Sequence, residues 1–184
     1  TTPSFDLETD IDALYPAGHV TEQAVRDVLT QFTGRIEQVP PSYSAIKVDG
    51  HRAYNAARKG KEVELKAKVL VIDEIELLDF KPTGQADIGT VPDGDDALQS
   101  RLVRRHFSER HRDLAKATVR IVCSKGTYIR ALARDIGQAL GSGAHLVGLR
   151  RTRVGDVTAD MCMTVEQATD LLANCPIEMP QPDK

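Results

Sequence analysis

Between Thr21 and Gly34, apolar side chains recur at Val25, Val28, Leu29 and Phe32. This is the i, i+3, i+4, i+7 spacing of a helix that hides one face. Thr21 supplies an N-cap and Gly34 a stop. A second helical pattern carries Ile129, Leu132, Ala133, Ile136 and Leu140 on one face and ends at Gly141. A third opens on Thr164 and Gln167, the spacing of a capping box, and runs to about Ala173. Between these lie strand signals. Val69 to Phe80 is rich in Val, Ile and Leu, Ala117 to Cys123 alternates apolar and polar, and His145 to Val154 reads as a further strand. Pro40-Pro41 forces an extended entry to a short strand at Ser44 to Val48, which Asp49-Gly50 turns, and Arg52 to Arg58 fits one or two helical turns.

Two stretches lack periodicity. Residues 1–19 are acidic and irregular. Residues 81–114 contain Pro82, Gly84, Gly89, Pro92, Gly94, Asp93, Asp95 and Asp96, the profile of an insertion or mobile loop whose basic end, Arg101 to Arg112, fits a short helix. The pattern predicts an α+β fold, with helices flanking a mixed, largely antiparallel sheet. Residues 1–175 are expected to form one domain and 176–184 a loose tail. There is no internal repeat.

Composition narrows the class. The chain has 184 residues, 41% of them apolar, enough for a real core. No apolar run reaches the ~20 residues that span a bilayer, and the acidic start lacks a signal-peptide core. Opening on Thr1-Thr2 fits a processed, trimmed or partly recorded chain. Cys123, Cys162 and Cys175 form no CxxC pattern, which argues against a disulfide framework or zinc site and for a reducing cytoplasm. The net charge of −3 hides an asymmetry. Residues 101–153 carry thirteen Lys/Arg against three Asp/Glu, so this block is +10 and the rest is −13. Such a block fits a polyanion partner, since cationic side chains release counterions from phosphates. It equally fits a solvated, salt-bridged face.

Three clusters carry candidate chemistry. Tyr43, Ser44, Lys47, Arg52, Tyr54 and Arg58 mix aromatics, hydroxyls and cations around a tight turn, which suits RNA or an ordinary surface hairpin. Lys125-Gly126-Thr127-Tyr128-Ile129-Arg130 sits at a strand-to-helix junction, where helix N–H groups and two cations fit an anion. If Tyr128 to Arg130 is extended, the two side chains share a face; if helical, Arg130 shares one with Arg134. The third cluster is Gly143-Ala144-His145-Leu146, then Leu149-Arg150-Arg151-Thr152. A lone His at a strand start is more often structural than acid–base. No Ser/His/Asp order, zinc spacing or phosphate-binding Gly-rich loop occurs.

Taken together, VPPSYSAIKVDGHRAY, CSKGTYIRALARDIG and GSGAHLVGLRRT closely resemble, in order and spacing, motifs of the TruB family, which makes pseudouridine in the T loop of tRNA. The resemblance covers residues 20–80 and 115–173. It implies the pseudouridine synthase catalytic-domain fold, in part, with a thumb-like RNA-gripping hairpin at about 43–69. It implies that Tyr128 lines the uracil pocket and Arg130 pairs with the catalytic aspartate. Leu149 then touches the flipped base, and Tyr43, Lys47, Arg52, Lys125, Arg150 and Arg151 are the remaining RNA-side candidates. No metal, nucleotide or redox cofactor is implied, and no obligatory protein partner or membrane is expected.

Besides the long insertion at 81–114, the sequence departs from the family in two features that it lacks. The nucleophilic aspartate of a Gly-Thr-Leu-Asp-Pro-type motif and the family's second, base-stacking tyrosine are not among these 184 residues. Asp49 reads as a turn residue and Asp135 as a surface partner for a nearby Arg. The chain by itself is therefore expected to be inactive. The alternative is a non-catalytic RNA-binding protein that keeps the pocket. The guide-RNA-dependent relatives are a third reading, disfavoured by the lack of a C-terminal RNA-binding module.

Overall fold

The computed structural model describes residues 1–44, 46–48, 51–53, 65–84 and 114–174. The chain forms two compact units, 1–148 and 149–184, each taken by itself.

In the first unit, helix α1 (Glu22–Thr30) is capped by Thr21, whose Oγ1 accepts from the Ala24 N–H at 3.1 Å. It buries Val25, Val28 and Leu29 as its spacing requires. The chain then turns through Gly34, at φ +92°, directly into β1 (Gly34–Gln38). Glycine meets a positive φ without a Cβ clash. This strand was not visible in the sequence, because Ile36 is its only strongly apolar residue. Strand β4 (Lys68–Lys81) lies between β1 and β5 (Lys116–Cys123) in an all-antiparallel sheet of order β1-β4-β5. Register shifts after Ile72 and after Leu77 mark irregularities in its pairing with β5, which sharpen local twist. Helix α2 (Ile129–Ala139) follows β5. The core packs Val25 and Leu29 of α1 against Leu77, with Ile75, Phe80, Val119, Ile136 and Leu140 around them. Full burial of a side chain such as Val25, Leu29 or Leu77 contributes about 1.5–3 kcal/mol, and the partly buried ones around them contribute less.

A small ladder pairs β2 (Lys47–Val48) with β3 (His51–Arg52). The strand expected over 44–48 is thus two residues long, and Ser44 is instead buried ahead of it. The Asp49-Gly50 turn, the helical turns expected to Arg58 and the segment 85–113 lie outside the described residues.

In the second unit, β6 (Arg153–Val154) pairs with β7 (Val157–Thr158) across Gly155-Asp156, with Gly155 at φ +57°. A 3-10 turn, Ala159–Met161, and helix α3 (Val165–Ala173) follow. The capping box is present: Thr164 Oγ1 accepts from the Gln167 N–H at 3.1 Å, and Gln167 Oε1 accepts from the Thr164 N–H at 2.9 Å. The strand expected over 145–154 is corrected, for only Arg153–Val154 is extended and paired. Upstream, in the first unit, the Leu146 N–H donates to the Phe5 carbonyl at 2.9 Å rather than to a ladder.

No helix among the described residues is long and apolar enough to cross a membrane. Cys123 is half-buried, Cys162 is exposed, and both are free thiols.

Candidate active site

The junction between β5 and α2 is built by local rules. Ser124 extends the sheet: its N–H donates to the Val71 carbonyl at 2.8 Å, and its Oγ accepts from the Val71 N–H at 3.0 Å. Gly126, at φ +92°, makes the turn, and Thr127 Oγ1 closes it by donating to the Ser124 carbonyl at 2.9 Å. Tyr128 is the last extended residue (φ −95°, ψ 104°) and the N-cap of α2. Ile129 begins the helix, so Arg130 stands in its first turn, one turn ahead of Arg134. Tyr128 is thus still extended while Arg130 is already helical, so Arg130 shares a face with Arg134 as in the helical arrangement.

Arg130 joins three segments. Its Nη1 donates to Asp6 Oδ2 at 2.9 Å and, more weakly, to the Ser4 carbonyl at 3.4 Å. Its Nη2 donates to the Tyr43 carbonyl at 2.8 Å. The Arg130 and Asp6 side chains are 24% and 25% exposed. Asp6 is itself held, since its Oδ1 accepts from Ser4 Oγ at 2.6 Å and from the Glu8 N–H at 2.9 Å. A carboxylate with both oxygens engaged anchors a guanidinium better than it attacks carbon. Ser4 is fully buried, and neighbouring Phe5 takes a positive φ of 57°. Such a backbone is kept only where contacts over-determine it. The Phe5 carbonyl binds the Leu146 N–H, and its ring lies 5.5 Å from the Arg134 guanidinium.

Arg134 is likewise internal. It donates to the Val39 carbonyl at 2.8 Å and to Asp135 Oδ1 at 2.7 Å; Asp135 has the partner role its sequence context suggested. Arg120 pairs with Glu76 at 2.9 Å and Glu74 at 3.6 Å across the sheet. The basic block is therefore not one continuous face among the described residues.

The structure brings Tyr43, Tyr128 and Arg130 together. Lys125 is exposed on the turn beside them. Lys47 and Arg52 are cross-strand partners in the small ladder. Leu149, Arg150 and Arg151 are exposed at the start of the second unit. Sequence reasoning missed Ser4, Asp6 and Gln38. The density of Ser, Thr and Asp in residues 1–12 was a signal for side-chain-closed turns; Gln38 carried none. An apolar cavity of about 270 Å³, lined by Ile11, Leu14, Val20, Phe80 and Ile136 among others, includes neither Tyr128 nor Arg130. Among the described residues there is no group of three His, Cys, Asp or Glu fit to hold a metal ion.

Comparison with known proteins decides the kinship. The profile of the TruB family pseudouridylate synthase N-terminal domain matches residues 1–91, and that of the tRNA pseudouridylate synthase B C-terminal domain matches 130–178. The chain belongs to the TruB family. The tRNA pseudouridine synthase B of Parabacteroides distasonis is 54% identical over 172 residues, covering 94% of this chain and 60% of that protein. The Phocaeicola vulgatus protein of the same name is 52% identical over 178 residues, covering 97% and 62%. The Mycobacterium leprae one is 39% identical, covering 93% and 46%. The chain thus spans about 60% of the first two relatives. Among solved structures, a chain of a Cbf5-Nop10-Gar1 complex superposes with a TM-score of 0.51 at 26% identity, covering 85% of this chain and 33% of that one. The two family profiles thus take in the Asp6 turn and Tyr43 in one case and Arg130 in the other.

Proposed function

We propose that this chain is part of a tRNA pseudouridine synthase that isomerises the T-loop uridine, and that Tyr128 and Arg130 belong to its uridine site. The observation that carries the reading is the Arg130 guanidinium. It is three-quarters shielded and fixed by Asp6, Ser4 and Tyr43 beside an extended Tyr128. These contacts use three of the five N–H donors a guanidinium has, which leaves chemical capacity for a second carboxylate. That carboxylate is the nucleophilic aspartate of the family's Gly-Thr-Leu-Asp-Pro segment, and Arg130 keeps it ionised and aimed.

The uridine is flipped out of the loop, because its reacting atoms are inaccessible in a stack. The aspartate attacks C1′ as the C1′–N1 bond breaks, the uracil turns in place, and C5 bonds to C1′ as the aspartate is released. C5 then gives up its proton and N1 takes one, which completes the isomerisation. Tyr128 packs along the uracil and Leu149 touches the flipped base. Lys47 and Arg52 are backbone partners in the β2–β3 ladder, and both contact phosphates of the T stem, with Lys125, Arg150 and Arg151 as further contacts. The site needs no metal or redox cofactor, since an aspartate and proton transfer suffice.

Tritium release from C5-labelled uridine in tRNA tests the proposal. The full-length protein is expected to release tritium stoichiometrically with T-loop pseudouridine, and the 184-residue chain none. Binding of tRNA by the full-length protein without release favours the second reading, a non-catalytic RNA-binding protein. That reading draws on Arg130 already having a carboxylate partner in Asp6.

A further inference from the structure

We infer that Gln38, at the end of β1, is a positioning residue for Tyr128: its side-chain amide clamps the Tyr128 backbone and so sets the uridine-facing ring and the start of α2. This rests on the proposed synthase reading of Tyr128. Gln38 is 1% exposed. A primary amide is buried without cost only when its polar atoms are bonded. Both ends of this one meet a single residue 90 positions away. Nε2 donates to the Tyr128 carbonyl at 3.2 Å, and Oε1 accepts from the Tyr128 N–H at 2.9 Å.

The two bonds grip the peptide groups on either side of one Cα. They therefore hold φ and ψ of Tyr128 near −95° and 104°, and with them the direction in which its side chain leaves. Tyr128 is an N-cap with no side-chain cap of its own. Its carbonyl also accepts the first helical bond, from the Leu132 N–H at 3.0 Å. Gln38 thus acts on the point where extended chain becomes helix, two residues before Arg130.

The clamp is one of three ties. After Gln38, the Val39 carbonyl takes Arg134 and the Tyr43 carbonyl takes Arg130. Segment 38–43, stiffened by Pro40-Pro41, is laced to the N-terminal half of α2. Two of the ties are made by helix side chains, and Gln38 alone of the three reaches in the opposite direction. A residue that merely filled space here has no need to bond both faces of one residue in the expected uracil pocket.

The test uses the full-length protein with Gln38→Met, which keeps length and loses both bonds, and Gln38→Glu, which keeps the acceptor and loses the donor. Leu77→Ala, in the core away from this junction, is the control for simple destabilisation. Well below the melting temperatures, the single-turnover rate of tritium release is expected to fall about tenfold or more in Gln38→Met, with tRNA affinity within about twofold. Leu77→Ala is expected to keep its rate. Hydrogen exchange at the Tyr128 amide is expected to accelerate in Gln38→Met and stay slow in Gln38→Glu. A Gln38→Met rate matching Leu77→Ala, or a Tyr128 amide equally protected in both Gln38 variants, overturns the inference. An unsubstituted protein that releases no tritium sinks the proposed function and the positioning role with it. An active parent with an unaffected Gln38→Met sinks the positioning role alone.

Discussion

Replacing Arg130 by alanine removes one guanidinium from three segments at once. The contact to Ser4 at 3.4 Å is long and counts for little. The two that matter are the Asp6 ion pair at 2.9 Å and the Tyr43 carbonyl at 2.8 Å. A hydrogen bond to a charged group contributes about 1.5–3 kcal/mol net, and orphaning a fully buried ionic partner costs about 3–5 kcal/mol. Asp6 is 25% exposed, so water recovers part of that loss. The expected cost is about 2–3 kcal/mol. At roughly 2–4 °C per kcal/mol for a domain of this size, the melting temperature falls by about 5–10 °C. Arg130→Lys restores a charge but not the planar fork that meets Asp6 and Tyr43 together, and is expected to recover no more than about half. Under the proposed function, Arg130 also holds the nucleophilic aspartate of the full-length protein. Single-turnover rates at saturating enzyme are therefore expected to fall by about a hundredfold or more, equivalent to ~2.7 kcal/mol, with a far smaller loss of tRNA affinity. Calorimetry reads the first effect and rapid-quench tritium release the second. An Arg130→Ala protein that melts within a degree of the parent refutes the structural argument. One that keeps its single-turnover rate and loses only affinity makes Arg130 a phosphate contact.

Other substitutions separate local from tertiary effects. A Cβ on buried Gly137 falls 2.4 Å from the Ala144 backbone nitrogen; Gly137→Ala should cost about 1–3 kcal/mol in a urea titration despite alanine's better helix propensity. Thr164→Ala breaks the capping box of α3 and should cost about 1 kcal/mol, read as faster amide exchange confined to residues 165–168. Charge reversal at Lys47 and Arg52 should weaken tRNA binding across sequences and flatten its salt dependence by about one unit per lost phosphate contact. Arg134→Gln should leave that slope alone, because its guanidinium bonds Val39 and Asp135 instead.

What was legible in the sequence is what a few neighbouring residues decide. The helices at 22–30, 129–139 and 165–173 follow from apolar spacing, and their starts from Thr21 and the Thr164–Gln167 pair. Strands β4 and β5 follow from their β-branched runs. The motifs around Tyr43, Tyr128 and Arg130 were legible as words of a family. Strand β1 was not, because GRIEQ has no pattern of its own; it is a strand because the edge of β4 offers it a ladder. Residues 145–152 had strand composition, yet Leu146 spends its N–H on Phe5. The partners of the site were hidden for the same reason. Arg130 finds Asp6 at 124 positions' distance, and Tyr128 finds Gln38 at 90. A buried charge or peptide group must be satisfied by whatever polar atom the fold delivers to it. Periodicity and capping act over one or two turns of chain, so they say that such a debt exists, and only the packed structure says which residue meets it.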